Sequence, residues 1–272
     1  MISHDCVTVL TTKDRANKLV TRSADGEVHK SAGPPIVSAR AETHRVPNAK
    51  AMEALLREVG DNPCLVIILG FFPGTEPSNG DSVGQTFNVV SKGWLLEHSE
   101  TAKQNILGWH EVEGGQYIAR LKKNMLPSSW AYFDRDTTPD MPDHLVKLDS
   151  LGWLSAMGEM IPALNQTSII EVPSTTGRVL VDGEPIASSG SHYYLQISDP
   201  YDLERFGAVL LQHSFLHGYG FMKKWGDATR QWSIFDPTTF SHERLVYEGK
   251  PSVEGTGLSV GPPVVTIING DR

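Results

Sequence analysis

The sequence predicts an α+β protein, and three observations carry that prediction. Short apolar runs such as Cys6–Leu10 read as strands, while longer stretches such as 49–59 and 199–218 place apolar residues at helical spacing. Between Pro73 and Thr86 the composition turns to Pro, Gly, Ser, Asn and Asp, which marks a long loop or a seam. The expected division is an N-terminal α/β portion over 1–86 and a core over 87–272, or one continuous domain over 1–272.

Taken in order, Cys6-Val-Thr-Val-Leu10 alternates as a strand should, and Ser23-Ala-Asp-Gly26 is a turn inside a hairpin. Asn48 can cap a helix over Ala49 to Val59 whose apolar positions are Met52, Leu55, Leu56 and Val59, and Gly60 is placed to end it. The run from Cys64 to Phe72 contains a buried strand at 64–69. Segment 87–125 is the least readable. Beyond it, Trp130–Phe133 reads as a strand, His144–Met160 as a helix carrying Leu145, Leu148, Leu151 and Leu154, and Ser168–Val172 as a strand. Arg178–Val181 enters a turn at Asp182-Gly183, and the chain returns as a hairpin toward Ser191–Ile197. Asp199-Pro200 starts a helix with Leu203, Phe206, Gly207, Leu210 and Leu211 on one stripe, which Gly218 can close. Gln231–Phe235 is a strand leading into Asp236.

A chain of 272 residues buries roughly 70–75% of its unfolded surface, so its core needs no staples. No apolar run reaches the roughly 18 residues that span a bilayer, and the N-terminus lacks a basic start and an apolar stretch, so no membrane partner is expected. Two cysteines, Cys6 and Cys64, support neither a disulfide framework nor a four-thiolate zinc site, which makes a reducing cytoplasm the expected compartment. The net charge of −8 argues against a protein that coats duplex DNA. Basic residues still cluster at Arg120-Leu-Lys122-Lys123 and at Lys223-Lys224 with Arg230, where either a solvated face or a phosphate contact is open.

Three sites carry chemistry. The first is Tyr132-Phe133-Asp134-Arg135-Asp136, an apolar strand ending in two acids one residue apart. On an extended chain such side chains leave the same face about 7 Å apart, so both carboxylates can reach a shared metal pair while Arg135 points away. Hard divalent ions want oxygen ligands, and phosphoryl transfer uses two of them. An Asp-x-Asp alone also fits solvated turn acids, but the preceding Trp-Ala-Tyr-Phe implies burial. The second site is Ser188-Ser-Gly-Ser-His192, small residues that let a phosphate approach the backbone, followed by a histidine able to donate to it. The third is Ile234-Phe-Asp236, a further carboxylate, with Arg244 eight positions later to fork onto a triphosphate.

As a set, these three sites resemble the motifs of the archaeo-eukaryotic primase superfamily. They are most similar to the primase-polymerases of phage and plasmid replication, through Phe133-Asp-Arg-Asp-Thr-Thr-Pro139, Pro173-Ser-Thr-Thr-Gly-Arg178 and Phe235-Asp-Pro-Thr-Thr-Phe-Ser-His-Glu-Arg-Leu245. The likeness covers roughly residues 117–250. It implies a catalytic sheet like that of the RNA-recognition motif, packed against a second α/β module. It also implies Asp134, Asp136 and Asp236 as ligands of two Mg²⁺ or Mn²⁺ ions, with His192, Arg244, Ser191 and Arg178 as nucleotide contacts. The implied partners are single-stranded DNA, nucleoside triphosphates and a replicative helicase, fused or separate. The zinc element and the Gly-x-x-x-x-Gly-Lys-Ser/Thr loop of many relatives have no counterpart in the sequence, so no zinc is expected. The expected activity is primer synthesis or extension by nucleotidyl transfer. A non-catalytic single-stranded nucleic-acid-binding module of the same fold, or a metal-dependent nuclease, are the alternatives.

Overall fold

The computed structural model describes residues 4–78, 80–186 and 190–269. Ser188 and Ser189, expected to approach a phosphate, lie outside the described residues. The elements that position the site begin with strands β1 (Cys6–Thr11) and β2 (Ser38–Arg45), helix α1 (Ala49–Gly60), and strands β3 (Leu65–Ile68), β4 (Phe87–Val90), β5 (Trp109–Val112) and β6 (Gly115–Ala119). They continue with β7 (Trp130–Arg135), α2 (Ser150–Met160), β8 (Ile169–Pro173), β9 (Ser191–Gln196) and α3 (Leu203–Leu216). The last are the ribbon β10 (Gly220–Trp225) and β11 (Ala228–Ser233), then β12 (Leu245–Val246) and β13 (Thr266–Ile268). The protein is thus a mixed α+β fold.

Two larger sheets organise it. The first has seven strands in the order β12–β3–β1–β2–β4–β6–β5, antiparallel except for the β4–β6 pair. The second has four antiparallel strands in the order β7–β9–β8–β13. In this second sheet the chain runs β7, α2, β8, β9, α3, and the strands stand in space as first, third, second, the split β-α-β arrangement.

Helix α1 lies between the sheets. Asn48 caps it, its side chain accepting the Ala51 N–H at 3.0 Å, and Met52, Leu55, Leu56 and Val59 are buried as their spacing predicts. They meet Val7, Val9 and Ile67 of the first sheet and Trp130, Tyr132, Ile170, Val172 and Tyr194 of the second. Burying each such side chain contributes on the order of 1.5–3 kcal/mol. The other face of the second sheet carries Ala131, Phe133, Tyr193 and Leu195 and is covered by α2 and α3 through Trp153, Met157, Leu203 and Leu210. The two-residue alternation of β7 therefore splits its side chains between two cores.

Several expectations need correction. Gly60 belongs to α1, and Asp61 caps the helix with ordinary right-handed dihedrals. A Cβ at Gly60 would come within 2.7 Å of the Pro263 Cβ, so the glycine serves a close approach and not a left-handed stop. The helix expected over 144–160 is two pieces, Asp143–Val146 and α2, because the Asp149 carboxylate accepts the Gly152 N–H at 2.7 Å and starts a new helix. Leu151 is consequently 77% exposed, and Trp153, Met157 and Met160 do the burying. The strand after the Asp182-Gly183 turn that pairs with Val179–Val181 is the short Glu184–Pro185, whereas Ser191–Gln196 leaves that hairpin to join β7 and β8. The first sheet also runs through the boundary expected at residue 86, since β4 pairs with β2 after the long loop and β12 returns from residues 245–246.

Candidate functional site

Asp134 is the next-to-last residue of β7, and His192 is its antiparallel partner on β9, as Ser191 is of Arg135. Register thus places an acid and an imidazole side by side on the face turned toward α1. The Asp134 Oδ1 lies 3.7 Å from the His192 Nε2. On its other side the ring meets Glu248, whose Oε1 is 2.6 Å from His192 Nδ1 and also accepts the Tyr194 hydroxyl. His192 and Glu248 are both buried, and the Tyr132 ring holds the imidazole edge-on with centroids 5.3 Å apart. Burial works against a charged imidazole here, but the charge and hydrogen bond of Glu248, with the charge of Asp134, outweigh it and raise His192 to about 9. His192 is therefore an imidazolium at neutral pH, oriented by Glu248.

Burial pushes the Asp134 carboxyl up to about 6; the His192 charge opposes this, and the charges of Asp136 and Asp236 add to it. Asp236 is brought in by the chain after β11, its backbone N–H donating to the Asp134 carbonyl at 2.8 Å. Its carboxylate accepts from the Thr238 N–H at 2.7 Å and faces Arg244 Nη2 at 3.2 Å. Arg244 also donates to the Thr238 carbonyl at 2.8 Å. Asp136 sits against Gly190, where a Cβ would fall 2.7 Å from its Oδ1. A glycine is what lets this carboxylate approach the start of β9. Asp136, Asp236, Thr238 and Arg244 line one cavity of about 480 Å³ together with Lys223, Trp225, Arg230 and Trp232.

Arg135 does point away from the acids, its guanidinium donating to the Leu148 carbonyl. Its partner Ser191 borders a different cavity, of about 560 Å³, with Arg135, Leu148 and Glu171. Arg178 is buried and spends its guanidinium on the Gly60 carbonyl at 2.8 Å and the Gly261 carbonyl at 3.0 and 3.2 Å, tying α1 to the C-terminal segment. The structure therefore brings together Asp134, Asp136, His192, Asp236 and Arg244, and leaves Ser191 and Arg178 outside that group. Of the first basic cluster, Lys122 is paired with Glu204 and Arg120 donates to the Glu243 carbonyl at 3.0 Å.

Glu248 was not legible beforehand: a lone acid in Tyr-Glu-Gly has no pattern to mark it. Lys18, whose charge lowers the pKa of both Asp134 and His192, was missed for the same reason. The two tryptophans of the ribbon did carry a signal, since Lys-Lys-Trp and a Gly-Asp turn sit beside Arg230.

The donor set suits a hard divalent ion. It is built of oxygens, and the buried Asp134 Oδ1 has no hydrogen-bond partner among the described residues. Among those residues no three His, Cys, Asp or Glu side chains already converge as a ready-made cluster. Comparison of the chain with family models, with curated proteins and with solved structures gave no match.

Proposed function

We propose that the protein is the core of a primase-polymerase, joining nucleoside triphosphates on single-stranded DNA in phage or plasmid replication. The observation that supports this reading best is the placement, toward one end of a split β-α-β sheet, of three carboxylates, an imidazolium and an arginine, with Asp136, Asp236 and Arg244 lining one cavity. The acids come from the end of β7 and from the segment after β11, and the imidazolium from the start of β9. The order β7–β9–β8 supports it, being that of the first three strands of a sheet like the RNA-recognition motif, while the fourth strand, β13, pairs with β8; in this reading the seven-stranded sheet with α1 is the second module.

Two Mg²⁺ or Mn²⁺ ions held by Asp134, Asp136 and Asp236 would activate a 3′-hydroxyl for in-line attack and neutralise the departing pyrophosphate. His192, its Nδ1 fixed by Glu248, keeps Nε2–H to donate to a phosphate oxygen of the incoming nucleotide. Arg244 turns its fork from Thr238 and Asp236 to the triphosphate, which frees the Asp236 carboxylate as it does so. A helicase, fused or separate, would supply the unwound template.

The test is to incubate the protein with single-stranded DNA, labelled nucleotides and Mn²⁺, with and without an annealed primer, and to size the products. Products longer than the primer, or new short strands without one, are expected. Shortened DNA would instead make it a nuclease, and unchanged DNA with intact binding a non-catalytic module.

A further inference from the structure

The ribbon β10–β11 supplies none of the three acids, yet it forms a wall of the cavity that Asp136 and Asp236 line. Its register pairs Phe221 with Trp232, Lys223 with Arg230 and Trp225 with Ala228. Side chains two apart share a face, so one face carries, from base to tip, an aromatic pair, a cationic pair and a last tryptophan. The base is anchored, with Phe221 and Trp232 buried in the core under α2 and α3. The tip turns through Gly226-Asp227, with Gly226 at φ +61°, the first central position of a tight hairpin turn. Lys223 Nζ lies 3.7 Å from the Trp232 ring centroid, and the Arg230 guanidinium lies 5.0 Å from that of Trp225. The two indoles are near parallel, 24° apart in plane with centroids at 6.2 Å.

Trp225 is 50% exposed. A two-stranded ribbon is marginal by itself, and Trp225 packs against the ribbon's own Trp232 and Arg230 while half of its surface stays open to solvent. An indole flanked by cations beside phosphate-handling acids has a direct chemical use, because every nucleobase offers a π-face and every linkage a negative charge. With a net charge of −8 the chain has no general electrostatic footprint for nucleic acid, so a contact of this kind has to be local.

We propose that this face of the ribbon binds single-stranded nucleic acid: Trp225 stacks on a base, and Lys223 and Arg230 meet the adjoining phosphates. The strand then enters the cavity of Asp136 and Asp236. The proposal rests on the function proposed above for the purpose of the contact, but not for its chemistry.

The measurement is fluorescence anisotropy of a labelled oligo-dT of about 15 nucleotides, without metal or nucleotide, so that binding is read apart from synthesis. Trp225→Ala raises Kd by roughly 5- to 150-fold, the loss of one base stack, while Trp225→Phe keeps most of the affinity. Lys223→Ala and Arg230→Ala each weaken binding and flatten the slope of log K against log salt by about 0.7. Thermal melting of each variant guards against misfolding. Unchanged oligonucleotide affinity in a folded Trp225→Ala protein overturns the proposal. So does a loss confined to labelled nucleoside triphosphate, which would make the ribbon a wall for the incoming base. Tryptophan-dependent oligonucleotide binding by a protein that makes no DNA would uphold this inference and defeat the polymerase reading; synthesis with ribbon-independent binding would do the reverse.

Discussion

Asp134, Asp136 and Asp236 bring three negative charges to one end of a sheet, and without metal they repel one another. Under the proposed function, Asp134→Asn, Asp136→Asn and Asp236→Asn each abolish synthesis. Asp134→Asn also leaves the metal-free protein melting at the same temperature or higher, because it replaces a buried carboxylate whose Oδ1 lacks a hydrogen bond. Near wild-type synthesis in Mg²⁺ by any of the three would remove it from the ligand set. His192→Ala and Arg244→Ala should weaken nucleotide binding by about 1.5–3 kcal/mol each while leaving template binding intact, and Arg244→Lys should rescue only in part. Separate titrations of nucleotide and oligonucleotide decide this. Burial, joined by the Asp5 charge, pushes the Cys6 thiol up to about 12, so it stays neutral far above pH 8. A thiol reagent at pH 8 is expected to label the partly exposed Cys64 and spare Cys6 until denaturant is added; rapid labelling of two thiols in the native state would contradict the buried β1. The acids and the histidine were legible because each follows or opens an apolar strand. The roles implied for Ser191 and Arg178 rest on sequence phrases, and a phrase does not reveal that a buried guanidinium is already engaged by backbone carbonyls.

At the level of elements, α2 shows how a pattern misleads. Leucines at 145, 148, 151 and 154 suggested one long helix, but Asp149 restarts the chain and rotates Leu151 to solvent. Leu151→Ala should therefore change stability by no more than about 0.5 kcal/mol. Trp153→Ala should cost roughly 3–5 kcal/mol, since that indole is buried, stacks on Tyr193 and donates to the Ile234 carbonyl at 2.9 Å. Urea titrations of both variants separate these outcomes, and equal losses would refute the rotated helix. In α3, Gly207 faces the Phe240 ring, where a Cβ would fall 2.4 Å from a ring carbon. Gly207→Ala is expected to destabilise the protein by about 1–3 kcal/mol in spite of alanine's better helix propensity. A more stable variant would mean that Phe240 moves freely. Helix α1, β3 and β7 were readable because cap, spacing and apolar run agreed there. Segment 87–125 was not, because its strands are short and β4 takes its place from β2 and β6, partners distant in sequence, although β5 and β6 form a local hairpin.

The whole molecule is knitted by its C-terminal part: β12 closes one edge of the first sheet and β13 one edge of the second. With α1 filling the space between, neither sheet keeps its core without the other. Urea should accordingly unfold the chain in one transition, and residues 87–272 expressed alone should lack near-ultraviolet dichroism, because β4 would lose β2 and β7 would lose α1. A folded, separately melting fragment would restore the boundary at 86. That interleaving could not be read beforehand, since which strands pair across 60 to 180 residues is settled by shape and not by local pattern. It also sets a clock. Glu248 follows β12 by two residues, and without it His192 has no anion at Nδ1. During synthesis on the ribosome the sheet strands β7 and β9 emerge first, and the partner that orients the histidine arrives some fifty residues later. Contacts spanning such distances close slowly. A nascent chain shorter than residue 248 would thus carry the acids but an unfixed imidazole.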